Sequence, residues 1–507
     1  MKNKAALAGH RGRVALKPTA VLSALAALAV AFLIGSIPMQ AQATNPFAGV
    51  VSPKPLLVIA PGSFMPAVQP LVQHKNATGM PTVVLSLSSL TAYFPGVDAP
   101  ERIKRGIQYA HENLGTEYVM LVGDAHWFPV RYEFMQGLGS PVVDGDYIPS
   151  DLYYANLYHH AVIQLPFGGQ IIIPYAFDNW DADGNRKYNE GVWGQMPNPN
   201  PDNVDGYPDV AVGRVPAHTA ADVTTFVNKV IFYETQTLNH FFFTFVADNN
   251  YPGATGDSTG IVANSGLKAF AAYLLINSDS NPPYPFNPAQ AVDVANVADA
   301  SAWVSYVGHG SRQGWDGIGP DLVQDTANNT ALPVVFAAGC STGAYAPEAP
   351  GFNVYEYRDV SNRMWHLETA SVLGQTWLID LMSGQFWGCP GCKPLPLIAS
   401  KPNPYDFNEG AFGFAYPWLI QYPRGGAIAY FGEVSVAEDW MGVELETDML
   451  ADYQGGDRVL GSIYLTGERA YWNNHQGDVG RPPDFHSQSR YYLGWMVFFG
   501  DPSLRMP

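Results

Sequence analysis

Two residues in this 507-residue chain have the types and surroundings needed for covalent acyl transfer, His309 and Cys340. Each follows a short apolar run that stops at glycine. Trp303–Val307 closes as Val307-Gly308-His309-Gly310-Ser311, and Val334–Ala338 closes as Gly339-Cys340-Ser341-Thr342-Gly343. A thiol becomes a useful nucleophile when a base takes its proton, and imidazole does so near neutral pH because its own pKa lies close by. The glycines let the backbone approach a substrate, and the amides of Gly310 and Cys340 are placed to stabilise an oxyanion.

Those apolar runs read as buried strands of a parallel sheet, whose carboxyl ends form the crevice where α/β proteins bind ligands. The rest of the chain supplies the sheet. Leu56–Ala60 and Pro81–Leu87 read as strands around a helical Phe64–His74. Pro100 opens a helix with Ile103, Ile107, Ala110 and Leu114 at helical spacing before the strand Tyr118–Val122. Val210–Gly213 then leads into a helix that begins at Thr219-Ala-Ala-Asp222, a capping-box pattern, and ends near Glu234. A new strand, Phe241–Ala247, precedes a helical run carrying Leu267, Phe270, Ala271 and Leu274. After the long segment Ala344 to Arg424, expected to form a lid or substrate wall, Gly425–Phe431 resumes the sheet. This alternation predicts an α/β protein of two abutting subdomains, 44–236 and 237–507, each with a mostly parallel sheet flanked by helices.

Residues 1–43 hold Lys2, Lys4, Arg11, Arg13 and Lys17 with no acid, then an apolar run to Ile37 and Ala41-Gln42-Ala43. Basic, apolar and small-x-small in that order predict a signal peptide cleaved after Ala43, and a secreted, cell-surface or periplasmic product with no membrane attachment once the leader is gone. The formal charge of −18 lacks the basic footprint of a nucleic-acid binder. The chain has three cysteines. Cys389-Pro-Gly-Cys392 is able to pair with itself in a tight loop, which leaves Cys340 free.

Two other clusters invite a metal. Gly123-Asp124-Ala125-His126 resembles one corner of a metal-dependent phosphoesterase, but the further ligands such a site needs are absent, so Asp124 is expected to cap a turn. In Asp178–Glu190, oxygen side chains alternate around a glycine. Asp181, Asp183 and Asn185 fill the first, third and fifth positions of a calcium loop, and Glu190 falls at the tenth rather than the twelfth, so a structural Ca2+ is expected there with none needed for catalysis.

The two strand ends resemble those of the gingipain family of cysteine peptidases, relatives of caspases and legumain, in which a Gly-His-Gly-Ser end and an Ala-Cys end supply the dyad. Leu56–Pro61, Tyr118–Asp124, Ser150–Tyr154, Pro208–Pro216 and Phe499–Leu504 share the resemblance. It implies a caspase/gingipain-like fold and an endopeptidase acting on protein or peptide substrates, expected to be a monomer. It further implies that Asp248 supports His309, and that Asp257, Glu433, Glu438, Asp439 and Trp440 lie on the loops bordering the specificity pocket. Carboxylates there favour Arg or Lys at P1. The rival readings are a non-catalytic, calcium-stabilised binding protein on the same scaffold and, behind it, the phosphoesterase.

Overall fold

In the computed structural model, eleven strands line up in one sheet. The structure describes residues 44–136, 147–192, 199–236, 240, 242–248, 250–267, 273–277, 287–288, 291–312, 314–316, 318–326, 331–346, 354–358, 364–372, 375–380, 386–388, 413–476, 489 and 491–507. In chain order the strands are β1 Leu56–Ala60, β2 Thr82–Ser86, β3 Tyr118–Val122, β4 Ala211–Val215, β5 Phe242–Ala247, β6 Tyr273–Asn277, β7 Asn287–Pro288, β8 Ser301–Val307, β9 Val334–Ala338, β10 Ala429–Glu433 and β11 Met496–Phe499. Their order across the sheet is β7-β6-β5-β8-β9-β10-β11-β4-β3-β1-β2.

Every neighbouring pair is parallel except β10 and β11. The C-terminal strand β11 is parallel to β4 and antiparallel to β10, so it splices the two halves while reversing their direction. Strands of the first half therefore end at the edge where strands of the second half begin. Residues Pro46–Pro507 form one compact unit around this sheet.

The helices are built from local signals. In α1, Met65–Ala77, a proline opens the first turn. In α2, Ala99–Leu114, the Asp98 side chain accepts from the Glu101 amide, Pro100 sits in the first turn, and Gly115 closes the helix in the left-handed region. In α3, Ala220–Thr235, Thr219 and Asp222 form the capping box expected from the sequence. Of the expected helical run Leu267–Leu274, Phe270 and Ala271 lie outside the described residues and Leu274 lies inside β6, while a helix, α4, comes earlier at Ala254–Asn264. The reason is tertiary. Tyr273–Asn277 pairs in register with β5, and that pairing outweighs the helical spacing of a few apolar residues. Two long helices, α5 Asp439–Gly455 and α6 Leu460–His475, pack against each other. Within Ala344 to Arg424, four antiparallel strands spanning Val354–Arg358, Met364–Val372, Gln375–Asp380 and Phe386–Gly388 form a separate sheet. Cys389 and Cys392 lie outside the described residues.

The core around the second half is aromatic. Trp303 of β8, Phe336 of β9, Phe431 of β10 and Phe498 of β11 stack across one face, with ring centroids 4.6 to 6.3 Å apart. Each such buried ring contributes roughly 1.5–3 kcal/mol by leaving water. Beneath them Glu446 of α5 is fully buried, accepting from Trp303 Nε1 at 2.7 Å and Ser305 Oγ at 2.8 Å. Burial pushes its carboxyl up to about 8, against the pull of those two donors.

A group whose pKa is raised by folding stabilises the fold fully below its ordinary value, and that contribution is lost as pH rises through the folded value. The melting temperature is therefore expected to fall between about pH 5 and pH 8, and Glu446→Gln to flatten that fall. Thermal melts across this range check it, and an unchanged slope in the variant would assign the dependence elsewhere.

Candidate active site

The sheet brings His309 and Cys340 to neighbouring turns. β8 and β9 pair in register from Trp303–Val334 to Val307–Ala338, so Gly308 and Gly339 leave the sheet side by side, and the Gly308 amide donates to Ala338 O at 3.2 Å. A Cβ on Gly310 would lie 2.6 Å from the Gly339 carbonyl carbon and 2.8 Å from Cys340 O. Gly308 has φ +153°, and a Cβ there would collide with Cβ of Asp248. Only glycine lets the two turns approach this closely.

Asp248 follows β5, the other neighbour of β8, and is buried. Its Oδ2 accepts from His309 Nδ1 at 2.9 Å and from the His309 amide at 3.1 Å, while Oδ1 accepts from the Asn250 amide at 2.8 Å. With Nδ1–H donating to the carboxylate, Nε2 carries the lone pair on a ring that is 56% exposed. The main chain is held too. Tyr306 OH donates to His309 O at 2.6 Å, and the Asp316 amide donates to the same carbonyl at 3.0 Å. Tyr251 packs edge-on against the imidazole, with centroids 4.9 Å apart.

Cys340 is half-buried, and its Sγ lies 3.6 Å from Ala437 O. Ser341 after it has φ +58°, a strained value for a residue with a side chain, and its amide donates to Ser435 O at 3.0 Å. Burial, then the nearby Glu433, push the thiol up to about 11, and contacts with the backbone of Ala437 and of Cys340 itself pull the other way. The resting group is a neutral thiol that needs a base.

Four carboxyl groups, those of Glu433, Asp257, Glu438 and Asp439, lie near enough to influence one another. Glu433, at the end of β10, is fully buried, accepts from Tyr492 OH at 2.9 Å, and has no partner for Oε2. Burial pushes it up to about 8. Asp257 of α4 is pushed up to about 6 by burial and by a hydrogen bond with Asp439 at the start of α5, which also takes a hydrogen bond from Tyr251. Glu438 is raised by burial and by Asp439. Trp440 lies against His475 of α6, with centroids 5.6 Å apart.

Elsewhere, Asp124 acts as the turn cap expected from the sequence, accepting from the His126 and Trp127 amides and from His218 Nδ1. In the acidic loop, carboxylate oxygens of Asp181, Asp183 and Asp202 lie within 4.8 Å of one another. Asn185 donates to both Asp183 and Glu190 at 2.9 Å. Sequence reasoning missed Asp202, which arrives from 19 to 21 positions away with no spacing pattern to mark it, and Tyr251, an unremarked aromatic after Asp248.

A mostly parallel sheet flanked by helices, with an acid-supported imidazole on one turn and a thiol on the turn that abuts it, places the chain in the caspase-like α/β fold class. The pattern of peptidase family C25 matches residues 51–361, and the chain belongs to that family. It is thus a cysteine peptidase. No curated protein sequence matches the chain. Among solved structures it is similar to the complex of Porphyromonas gingivalis RgpB pro- and mature domains, at 15% identity and TM-score 0.53, covering 89% of this chain and 79% of that one. It is also similar to the Arg-specific cysteine proteinase gingipain R, at 16% identity and TM-score 0.53, covering 90% and 80%. At such identities the likeness speaks for the fold, which agrees with the gingipain-like architecture expected from the sequence.

Because the collision at Gly308 falls on Asp248 itself, Gly308→Ala is expected to lower the melting temperature and break the Asp248–His309 hydrogen bond. Loss of the downfield Nδ1 proton of His309 in NMR spectra checks this. A retained resonance would show that the turn has room to spare.

Proposed function

We propose that the chain is an exported endopeptidase in which Cys340 is the nucleophile, His309 the general base and acid, and Asp248 the residue that orients the imidazole. The observation that carries this reading is the Asp248–His309 hydrogen bond on a turn that abuts Cys340. As Sγ attacks the scissile carbonyl, its proton passes to Nε2, and the amides of Gly310 and Cys340 receive the developing oxyanion. His309 then returns the proton to the leaving amine, and water, deprotonated by the same nitrogen, hydrolyses the thioester. Asp248 stabilises the imidazolium that forms in between. The leader at 1–43 supports export.

The acid cluster supports cleavage after Arg or Lys. A buried Glu433 with an unpaired oxygen, pushed up to about 8, keeps its proton without a partner and gains one when a cation enters, and Asp257, raised to about 6 and hydrogen-bonded to Asp439, adds a second carboxyl. Trp440 is the candidate wall of that pocket. Cys340→Ala is expected to abolish peptide cleavage with the fold intact. A peptide-library profile is expected to show Arg or Lys at P1, with kcat/KM for such substrates rising through about pH 6 as Asp257 ionises. Full activity of the alanine variant would sink the mechanism, and a profile indifferent to P1 charge would sink the specificity.

We further propose that Asp181, Asp183 and Asp202 hold a structural Ca2+, with Asn185 and Glu190 at its rim. All the donors are hard oxygens, and Asp202 is buried, pushed up to about 7 chiefly by that burial. Calcium is expected to raise the melting temperature and Asp202→Asn to remove the increment. A melt unmoved by calcium or chelator would remove the loop from consideration.

A further inference from the structure

Between β3 and β4 the chain makes a two-stranded hairpin, Tyr158–Gln164 against Gln170–Phe177, that belongs to no larger sheet. From Tyr158 to Phe177 it contains no Asp, Glu, Lys or Arg. Its tip and outer face are apolar and bare. Phe167 is 101% exposed, Tyr175 61%, Ile163 and Ile171 47%, and Leu165 and Ile173 41%. The described residues hold only four other large apolar side chains of comparable exposure, Val51, Tyr93, Val97 and Phe232, and none of them lies in the hairpin. A cluster of this kind on a folded protein marks a contact surface.

The hairpin's other side is fastened down. Gln170 hydrogen-bonds Asn473 and Gln476 at the end of α6, and Val162 and Ile172 pack on the core. The segment beyond the Gln164–Gln170 pair therefore stands clear, with every residue from Ile163 to Gly169 exposed. Its backbone closes on itself, the Leu165 amide donating to Gly169 O at 3.0 Å and the Gly168 amide to Leu165 O at 3.2 Å.

We propose that this tip docks on the surface of a zwitterionic lipid bilayer, with Leu165 and Phe167 entering the acyl boundary and Tyr175 at headgroup level. A convex wedge, apolar on both sides at its end, suits a fluid phase. The satisfied turn meets the requirement that backbone polar groups be paired in lipid, while the free edges of the ribbon limit it to interfacial depth, about 5–10 Å. Charge selects the lipid. The chain carries −18, and the hairpin's one raised histidine, His160, is buried against Asp205 and Asp209, so anionic headgroups repel the protein and the attraction that remains is apolar.

The test is flotation of the full chain with phosphatidylcholine vesicles, alone or with added phosphatidylglycerol, at low and high salt, alongside sedimentation of the lipid-free protein. Co-flotation that persists in high salt and weakens with phosphatidylglycerol is expected. Phe167→Asp should reduce the bound fraction at least tenfold while Phe167→Leu retains it, with melting temperature and cleavage of a soluble peptide unchanged in both. Absence of flotation, equal flotation of the Asp variant, or a concentration-dependent dimer that Phe167→Asp dissolves would overturn the proposal, the last by assigning the face to a second copy of the chain.

Discussion

Everything at the candidate site depends on how closely two backbone turns approach. Imidazole and thiol are on different strands, and the strands are held at the fixed spacing of a parallel ladder. What remains adjustable is the turn after each, and there Gly308 and Gly310 press against Asp248, Gly339 and Cys340 with no room for another carbon. Packing thus sets the geometry before any side-chain hydrogen bond forms. The bond from His309 to Asp248, and the grip of Tyr306 and Asp316 on the His309 carbonyl, then hold a ring whose position the main chain has already chosen.

The electrostatics follow from the same closeness. Carboxyl groups from three separate places, the end of β10, the start of α5 and α4, converge beside the thiol in a chain with a large acidic excess. Burial first and the neighbouring carboxyls second favour keeping protons on, which is why Glu433, Asp257 and the thiol are all displaced upward.

Much of this was legible in the sequence because it is local. Apolar runs that stop at glycine gave the strands carrying His309 and Cys340, and Pro100 and Thr219 marked their helices. Tertiary pairing was not legible. The run at Tyr273 reads as helix until β5 lies beside it, and nothing in Met496–Phe499 announces that it will join the halves and reverse their direction. Asp202 joins Asp181 and Asp183 through the fold alone. The hairpin escaped notice for a different reason: Ile171-Ile172-Ile173 has the composition of a core strand, and only the structure reveals that two of the three face outward.

The protonated state of Cys340 bears on how long the protein survives. Thiolates attack peroxides and disulfides far faster than thiols do, and the steps from sulfenic to sulfonic acid begin from that anion. With burial and Glu433 raising the thiol, the sulfur is a poor target for oxidants while the cleft is empty, and under the mechanism proposed above its reactivity is released only when His309 draws the proton away during attack. A nucleophile that lies dormant between encounters tolerates surroundings that would quickly spoil a permanently ionised one.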